Sequence, residues 1–323
     1  MSAWSEKLNR LTEVLRGVEK QFGRGTAVQL SGQSMSDVTG GIPTGSLGLD
    51  HALGCGGYPR GRIIELFGHE GSGKSSLALQ SIAAAQAQGG VAAFVDAEHS
   101  FSVGYAQKLG IETDKLVLVR ASTAEQSWEV IERLIQGGVD LIVVDSIAAL
   151  LPKAELEAEQ PVQATLHAQM LSHAIRKLAG PLFNSSCALL LLNQLRYTTS
   201  PTGTGLQAST PGGVALKFFS SIRCHVENLQ VLKSASKATG MLARVSIVKN
   251  KCAPPAEPIE FELYFEGGIC RATEALKMGL SAHRVKHEEA GLFCEGVCLG
   301  RSVEEAIAFL KAHPEELPAL ISP

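Results

Sequence analysis

The sequence predicts an α/β fold: a mostly parallel sheet with helices on both faces, an extra helix ahead of it and a small C-terminal α/β domain behind. Three observations carry this prediction. Between about residues 62 and 193, short apolar β-branched runs alternate with helix-forming stretches, the pattern of parallel strands joined by crossover helices. One of those runs leads into Gly68-His69-Glu70-Gly71-Ser72-Gly73-Lys74-Ser75, which fits G-x-x-x-x-G-K-[ST] with a strand before it and a helix after. At 323 residues the chain exceeds the usual size of one hydrophobic core, so a main domain and a smaller companion are expected.

Residues 4–22 carry Leu8, Leu11, Leu15, Val18 and Phe22 at 3,4,3,4 spacing, the stripe of an amphipathic helix. Gly23-Arg24-Gly25 and an extended stretch at 26–30 follow. Such a helix either folds back on its own core or docks on a neighbour, and the residues alone leave both open. Residues 31–60 are turn-rich. Strands are expected near 62–67, 91–97, 116–120, 141–145 and 187–193, and helices near 74–88, 123–136 and 162–179. Residues 196–213 form a polar, Gly/Pro/Thr-rich loop, and a loop of that length inside a compact domain is either functional or disordered when empty. A short helix at 214–221 follows. Strand-like runs at 222–232, 241–249 and 258–265 suit an antiparallel extension of the sheet. From about 271 a smaller module closes the chain, with an amphipathic helix at 302–313. The divisions read this way are 1–33, 34–270 and 271–323.

A hydrophobic fraction of 45% and a net charge of −3 describe an ordinary soluble protein with no global nucleic-acid signature; any such surface must be local. No apolar run approaches the roughly 20 residues of a membrane span, so no membrane partner is expected. The N-terminus, Ser2-Ala3-Trp4-Ser5-Glu6-Lys7-Leu8-Asn9, lacks the apolar core of a secretory signal, and the expected location is cytoplasmic. The seven cysteines are scattered, with no CxxC; they read as reduced structural thiols.

The chemistry gathers around residues 68–76. Glycines let successive N–H groups converge on a phosphate, and the N-terminus of the following helix adds partial positive charge. Lys74 would meet the β and γ phosphates, and the Ser75 hydroxyl would ligate Mg²⁺. Leu141-Ile142-Val143-Val144-Asp145 is a buried strand ending in an acid at the edge where ligands bind, so Asp145 would hold Mg²⁺ through water; the plainer role is a cap for the next helix. Phe94-Val95-Asp96-Ala97-Glu98-His99 ends another strand. Glu98 is placed to polarise a water for attack on the γ-phosphate, or is a solvated strand-end acid. His99 reads as a hydrogen-bonded structural imidazole. Asn193-Gln194 ends a third apolar run just before the long loop. Its amide either feels the γ-phosphate and signals to that loop, or makes a sheet-edge hydrogen bond.

The segment from Ile42-Pro43-Thr44-Gly45-Ser46 to Arg62 resembles the approach to the P-loop in bacterial RecA recombinases. So do Asp96-Ala97-Glu98-His99, Val144-Asp145-Ser146, Arg176-Lys177-Leu178-Ala179-Gly180, Asn193-Gln194-Leu195-Arg196, Ala215-Leu216-Lys217-Phe218 and Val248-Lys249-Asn250-Lys251. The resemblance runs in register from about residue 8 to 270. It implies a RecA-like P-loop NTPase core that binds ATP with Mg²⁺, forms a helical homo-filament on single-stranded DNA, pairs it with double-stranded DNA and exchanges strands, with stimulation of a LexA-like repressor's self-cleavage as a further role. In that light Glu98 resembles the catalytic glutamate and Gln194 the γ-phosphate sensor. Lys249 and Lys251 resemble cations supplied to a neighbour's ATP; without the family they would read as a solvated strand end. Tyr105 matches an adenine-stacking tyrosine, Phe218 an interface residue, and the N-terminal stripe a polymerisation helix. Arg176, Arg196, Tyr197, Gly212, Gly213 and Arg244 are the DNA-binding residues implied, with loops at about 157–165 and 196–213 holding the primary strand.

Departures from the family pattern cluster on the DNA side. Gln169 stands where Arg is typical, and Glu227-Asn228 where an Arg pair helps hold the second duplex. Ser246 replaces a Lys, and Ser102 an Asp that usually contacts adenine. Tyr197 and Leu206 are the only large apolar residues of the second loop. These changes predict intact ATP chemistry with weaker or more salt-sensitive DNA handling. They also keep open a RecA-like paralog that modulates filaments with little strand exchange of its own. A hexameric helicase on the same core would need an arginine finger where this chain has two lysines, and the four-Cys zinc module of RadA-like relatives is absent.

Overall fold

Strand and helix positions follow from where the chain can bury apolar side chains on one or both faces. The computed structural model describes residues 3–23, 27, 40–157, 165–199, 206–288 and 290–321. It divides into two units, Met1–Thr39 and Gly40–Pro323. In the first, α1 (Ala3–Phe22) is the helix expected from the stripe. Leu8, Leu15 and Val18 are half-buried there, while Leu11 and Phe22 are exposed. Most of the stretch expected to be extended at 26–30 lies outside the described residues, as do 158–164 of the first expected DNA loop and 200–205 of the second.

The larger unit begins with α2 (Leu47–Leu53), capped by the Ser46 hydroxyl, which accepts from Leu49 N. Then β1 (Ile63–Gly68), α3 (Lys74–Ala87), β2 (Ala92–Asp96), α4 (Val103–Lys108), β3 (Val117–Val119), α5 (Ala124–Gln136) and β4 (Leu141–Asp145) alternate as predicted, except that the short α4 between β2 and β3 was not expected. A single helical turn, α6 (Lys153–Leu156), and the long α7 (Thr165–Phe183) lead to β5 (Ala188–Gln194). Every residue of β1, β2 and β4 is buried, which is why these strands read as continuous apolar runs rather than alternating ones. The prediction ended α7 at 179. It continues through Pro181, and the buried Leu182 anchors its last turn.

The polar loop expected at 196–213 is structured at both ends. Its flanks pair as a hairpin of β6 (Arg196–Thr199) and β7 (Leu206–Ser209), with Arg196 opposite Ser209 and Thr199 opposite Leu206. The β-branched Thr198 and Thr199 favour this extended pairing, a preference masked in the sequence by the surrounding Gly and Pro. After α8 (Gly213–Phe219), the strands β8 (Ile222–Ser234), β9 (Lys237–Asn250), β10 (Ile259–Tyr264) and β11 (Gly268–Ile269) complete a nine-stranded sheet of order β11-β10-β9-β8-β1-β5-β4-β2-β3. From β8 to β3 the strands are parallel, and β9, β10 and β11 form the expected antiparallel extension. The β8–β9 hairpin turns at Ala235 and Ser236, both at positive φ, the geometry of a primed two-residue turn.

One face of the sheet is covered by α3, with Leu77 and Ile82 fully buried against Ile64, Leu66, Leu190 and Phe261. The other is covered by α5 and α7 through Trp128, Ile131, Ile175 and Leu178. The closing module contains α9 (Arg271–Ser281), a three-stranded antiparallel sheet of β12 (Val285–Glu288), β13 (Gly291–Cys294) and β14 (Val297–Gly300), then α10 (Val303–Ala312) and α11 (Leu317–Ile321). The α/β character was expected, but its strands were not located in the sequence because they are only four residues each.

The start of α2 is held by a buried carboxylate. Glu274 of α9 accepts from the Ser46 hydroxyl at 2.5 Å and from Leu47 N at 3.1 Å. Asp50 accepts from Thr44 N at 2.7 Å. Burial pushes the Asp50 carboxyl up to about 7, and the nearby Glu274 adds to the shift. An acid whose folded pKa lies above its unfolded value binds more protons when folded, so its contribution to stability declines as pH rises between the two values. Asp50→Asn keeps the acceptor and removes the charge. Its stability relative to the parent should therefore grow between about pH 4 and pH 7, by about 1–3 kcal/mol, read from urea midpoints across that range.

Candidate functional site

Parallel strands place their carboxyl ends in one row, and the sheet order puts the ends of β1, β5, β4 and β2 side by side. Four sequence-predicted groups meet there: residues 68–75 after β1, Gln194 ending β5, Asp145 ending β4 and Glu98 just past β2. Residues 71–73 turn tightly into α3, with Gly71 at φ +70° and Gly73 at φ +95° as the residue capping the helix. A side chain at Gly73 would also press on Met241 Sδ and Leu263 Cδ2, at 3.1 and 3.2 Å.

Lys74 Nζ donates to the carbonyls of Gly68 at 3.1 Å and His69 at 2.7 Å. Burial lowers its pKa, opposed by the charges of Asp145, Glu98 and Glu70. The Asp145 carboxyl is pushed up to about 6, chiefly by burial; a hydrogen bond from Ser75 and the charge of Lys74 pull the other way. Ser75 and Asp145 thus bring a hydroxyl and a carboxylate together beside the phosphate loop, a hard-oxygen donor pair that fits Mg²⁺. Glu98 Oε1 accepts from Ser146 Oγ at 2.5 Å and from Gln194 Nε2 at 3.5 Å. The expected catalytic acid and the expected sensor amide are therefore in direct contact.

Asp96 organises the segment that carries Glu98. Its buried carboxylate accepts from Ser100 N and Phe101 N at 2.9 and 3.4 Å and pairs with Arg120 Nε at 3.1 Å. Between these anchors, Ala97 N and Glu98 N both donate to Asp145 O. The Tyr105 hydroxyl lies 2.7 Å from the Ser76 hydroxyl, joining α4 to the first turn of α3. Ser102 caps α4 by accepting from Tyr105 N at 3.3 Å. Sequence reasoning noticed the acid at 96 but not its partners, since Arg120 lies 24 positions away.

Lys249 and Lys251 are elsewhere. Lys251 N donates to Ser221 O, and Ser221 N to Ile63 O, so this end of β9 sits where β1 begins. The phosphate loop lies where β1 ends, about 20 Å away for six residues of strand. Lys249 Nζ donates to the carbonyls of Lys217 and Phe218 at 2.6 and 3.0 Å, and Lys251 Nζ to that of Phe218 at 3.3 Å. They cap the negative end of α8, and the exposed Phe218 ring lies 5.6 Å from the Lys251 ammonium.

The DNA candidates lie on α7, β6, the start of α8 and β9. Arg176 is exposed on α7, and Arg196 is exposed where β6 begins. Tyr197 follows it in β6. Gly212 and Gly213 start α8; at φ +101°, Gly212 packs so closely that a Cβ would lie 2.7 Å from Leu171 Cδ2. Arg244 lies on β9, where Glu260 takes its guanidinium at 2.6 Å, and Glu227 is its register partner on β8.

Residues 9–270 match the model of the RecA N-terminal domain family. The chain is 42% identical to Protein RecA 1 of Myxococcus xanthus over 322 residues, covering 99% of this chain and 94% of that protein. It is also 42% identical to Protein RecA of Clostridium tetani, covering 97% of this chain and 89% of the relative, and to Protein RecA of Acidiphilium cryptum, covering 96% and 91%.

The anchoring of the Glu98 segment is open to a direct check. Asp96→Ala leaves two backbone N–H groups and Arg120 without their acceptor. It should lower stability by about 2–3 kcal/mol in urea or guanidinium unfolding.

Proposed function

The chain belongs to the RecA family, and from that membership we infer how its residues serve an ATP-dependent DNA recombinase. Its activity is DNA-dependent ATP hydrolysis coupled to homologous pairing and strand exchange in recombinational repair. The chain assembles as a helical filament on single-stranded DNA, taking double-stranded DNA as the second substrate and a LexA-type repressor as a further client.

Within one site, Lys74 and the N–H groups of residues 70–75 hold the phosphates, and Ser76 and Tyr105 border the base. Ser75 and Asp145 hold Mg²⁺, which when bound neutralises charge on the β and γ phosphates. Glu98, steadied by Ser146, orients the attacking water and accepts its hydrogen bond. Gln194 reports the γ-phosphate to the segment after it. Lys249 and Lys251 act on the neighbouring subunit's ATP. What supports this division is the placement of the lysines at the opposite edge of the sheet from their own chain's phosphate loop. We assign 1–33 to filament polymerisation, 34–270 to the ATPase core and 271–323 to an accessory domain.

The pairing of Arg244 with Glu260 supports a second element of the reading. A cation already committed to a carboxylate releases fewer counterions from DNA. Glu227, Asn228 and Ser246 supply no cation either. We therefore assign this chain weaker duplex handling than is usual in the family, lost at lower salt because there is less affinity to lose.

The test is ATP hydrolysis with and without single-stranded DNA, followed by strand exchange over a salt series. Hydrolysis should rise with DNA, and exchange should already be weak at ordinary salt. DNA-independent hydrolysis would overturn the recombinase reading, and robust exchange at ordinary salt would overturn the weakened-duplex element. The shared site makes a separate prediction. Lys74→Ala chains and Lys249→Ala/Lys251→Ala chains should each be inactive alone. Mixed in equal amounts, they should regain about a quarter of parental turnover, the share of random head-to-tail contacts that pair two intact halves.

A further inference from the structure

Asn193, Glu65 and Arg223 form a polar cluster on an otherwise apolar sheet face. They lie on neighbouring strands β5, β1 and β8, and the side chains of Glu65 and Asn193 are fully buried. A buried carboxylate is costly unless paired and hydrogen-bonded. Glu65 meets both conditions: Arg223 Nε donates to its Oε2, and Asn193 Nδ2 to its Oε1 at 2.8 Å. The Arg223 guanidinium also lies 4.8 Å from the centre of the Phe67 ring, which stacks on His225.

Asn193 uses its whole amide. Its Nδ2 donates a second bond to Pro211 O at 2.8 Å, and its Oδ1 accepts from Gln194 N at 2.9 Å. Pro211 is the trailing root of the 196–213 segment, just before Gly212 and α8. The leading root is tied separately: Leu195 N donates to Gly68 O, the same carbonyl that accepts from Lys74 Nζ. Both roots of the segment are thus bonded within two residues of Gln194, one through the phosphate loop and one through Asn193. Next to Pro211, the Thr210 hydroxyl is buried and has no hydrogen-bond partner among the described residues, so the trailing root is not fully satisfied in this arrangement.

We propose that Asn193 is a positioning residue. Held against the sheet by Glu65 and Arg223, it sets Gln194 and the trailing root at Pro211 together, so that a change at one is felt at the other. This rests on the reading that Gln194 senses the γ-phosphate and that residues 196–213 contact single-stranded DNA.

The experiment compares the parent chain, Asn193→Asp and the double variant Glu65→Gln/Asn193→Asp. In the single variant, residue 193 lacks the amide that donates to Glu65 and Pro211 together, and one shared proton can bridge it to Glu65 but leaves Pro211 O without its donor. The double variant restores the parental charge and lets the amide at 65 donate to the carboxylate at 193, but still leaves Pro211 O without its donor. For each, affinity for an oligo-dT strand is measured with ADP and with a slowly hydrolysed ATP analogue, per chain competent to bind a fluorescent ATP analogue. Both variants should bind nucleotide within about 2-fold of the parent and lose at least about 5-fold of the ATP-induced gain in DNA affinity. Recovery of the gain in the double variant would make Asn193 a structural residue only and overturn the proposal. So would an undiminished gain in the single variant, or loss of nucleotide binding in both. If the parent itself shows no ATP-induced gain, the functional reading fails and takes the proposal with it; a parental gain that survives Asn193→Asp sinks the proposal alone.

Discussion

A strand buried on both faces can present chemistry only at its ends, and the larger unit depends on that constraint. Parallel pairing of β1 with β5, of β5 with β4 and of β4 with β2 aligns four carboxyl ends, and each contributes a different chemical group. Slipping any of these strands by one residue would turn its apolar set away from one core cluster and toward the other. The packing that stabilises the sheet therefore also sets the spacing among Lys74, Asp145, Glu98 and Gln194.

Burial acts on the charges of that edge in a consistent direction. Lys74 is lowered and Asp145 raised, each chiefly by loss of water. Ions held this way gain more from a highly charged ligand than they would in solvent, because the cost of desolvating them is already met by the fold. Asp96 shows the complementary case. Its carboxylate is buried but surrounded by donors, and it serves geometry rather than reaction.

Most of the fold was legible because its signals are local. Apolar runs, a Gly-rich turn and the 3,4 spacing of helices survive in a window of a few residues. Glu98, Asp145 and Gln194 were legible for the same reason: each sits at or just past the end of an apolar run, where a polar residue is conspicuous, whereas Tyr105, Lys249 and Lys251 were legible only through the family resemblance. What escaped depends on distant partners. Nothing within β1 announces that Glu65 is neutralised by Arg223, 158 positions later, although a lone Glu inside a buried run is itself a signal. The hairpin of β6 and β7 escaped because turn-forming residues outnumber its strand formers. The three short strands of the closing module escaped because four residues are too few to establish a period.

That hairpin has a consequence for how the chain can change over time. Its mouth is closed by its own ladder, with Arg196 opposite Ser209. The entropy of joining two fixed ends grows only slowly with what lies between them, so the tip can vary in sequence at little thermodynamic cost to the sheet. Among the departures from the family pattern, Ser102, Gln169 and Asn228 are exposed, while the strand-end residues Glu98, Asp145 and Gln194 match the family motifs. Changes in such a loop leave the buried ends of the strands, and the spacing they set, untouched.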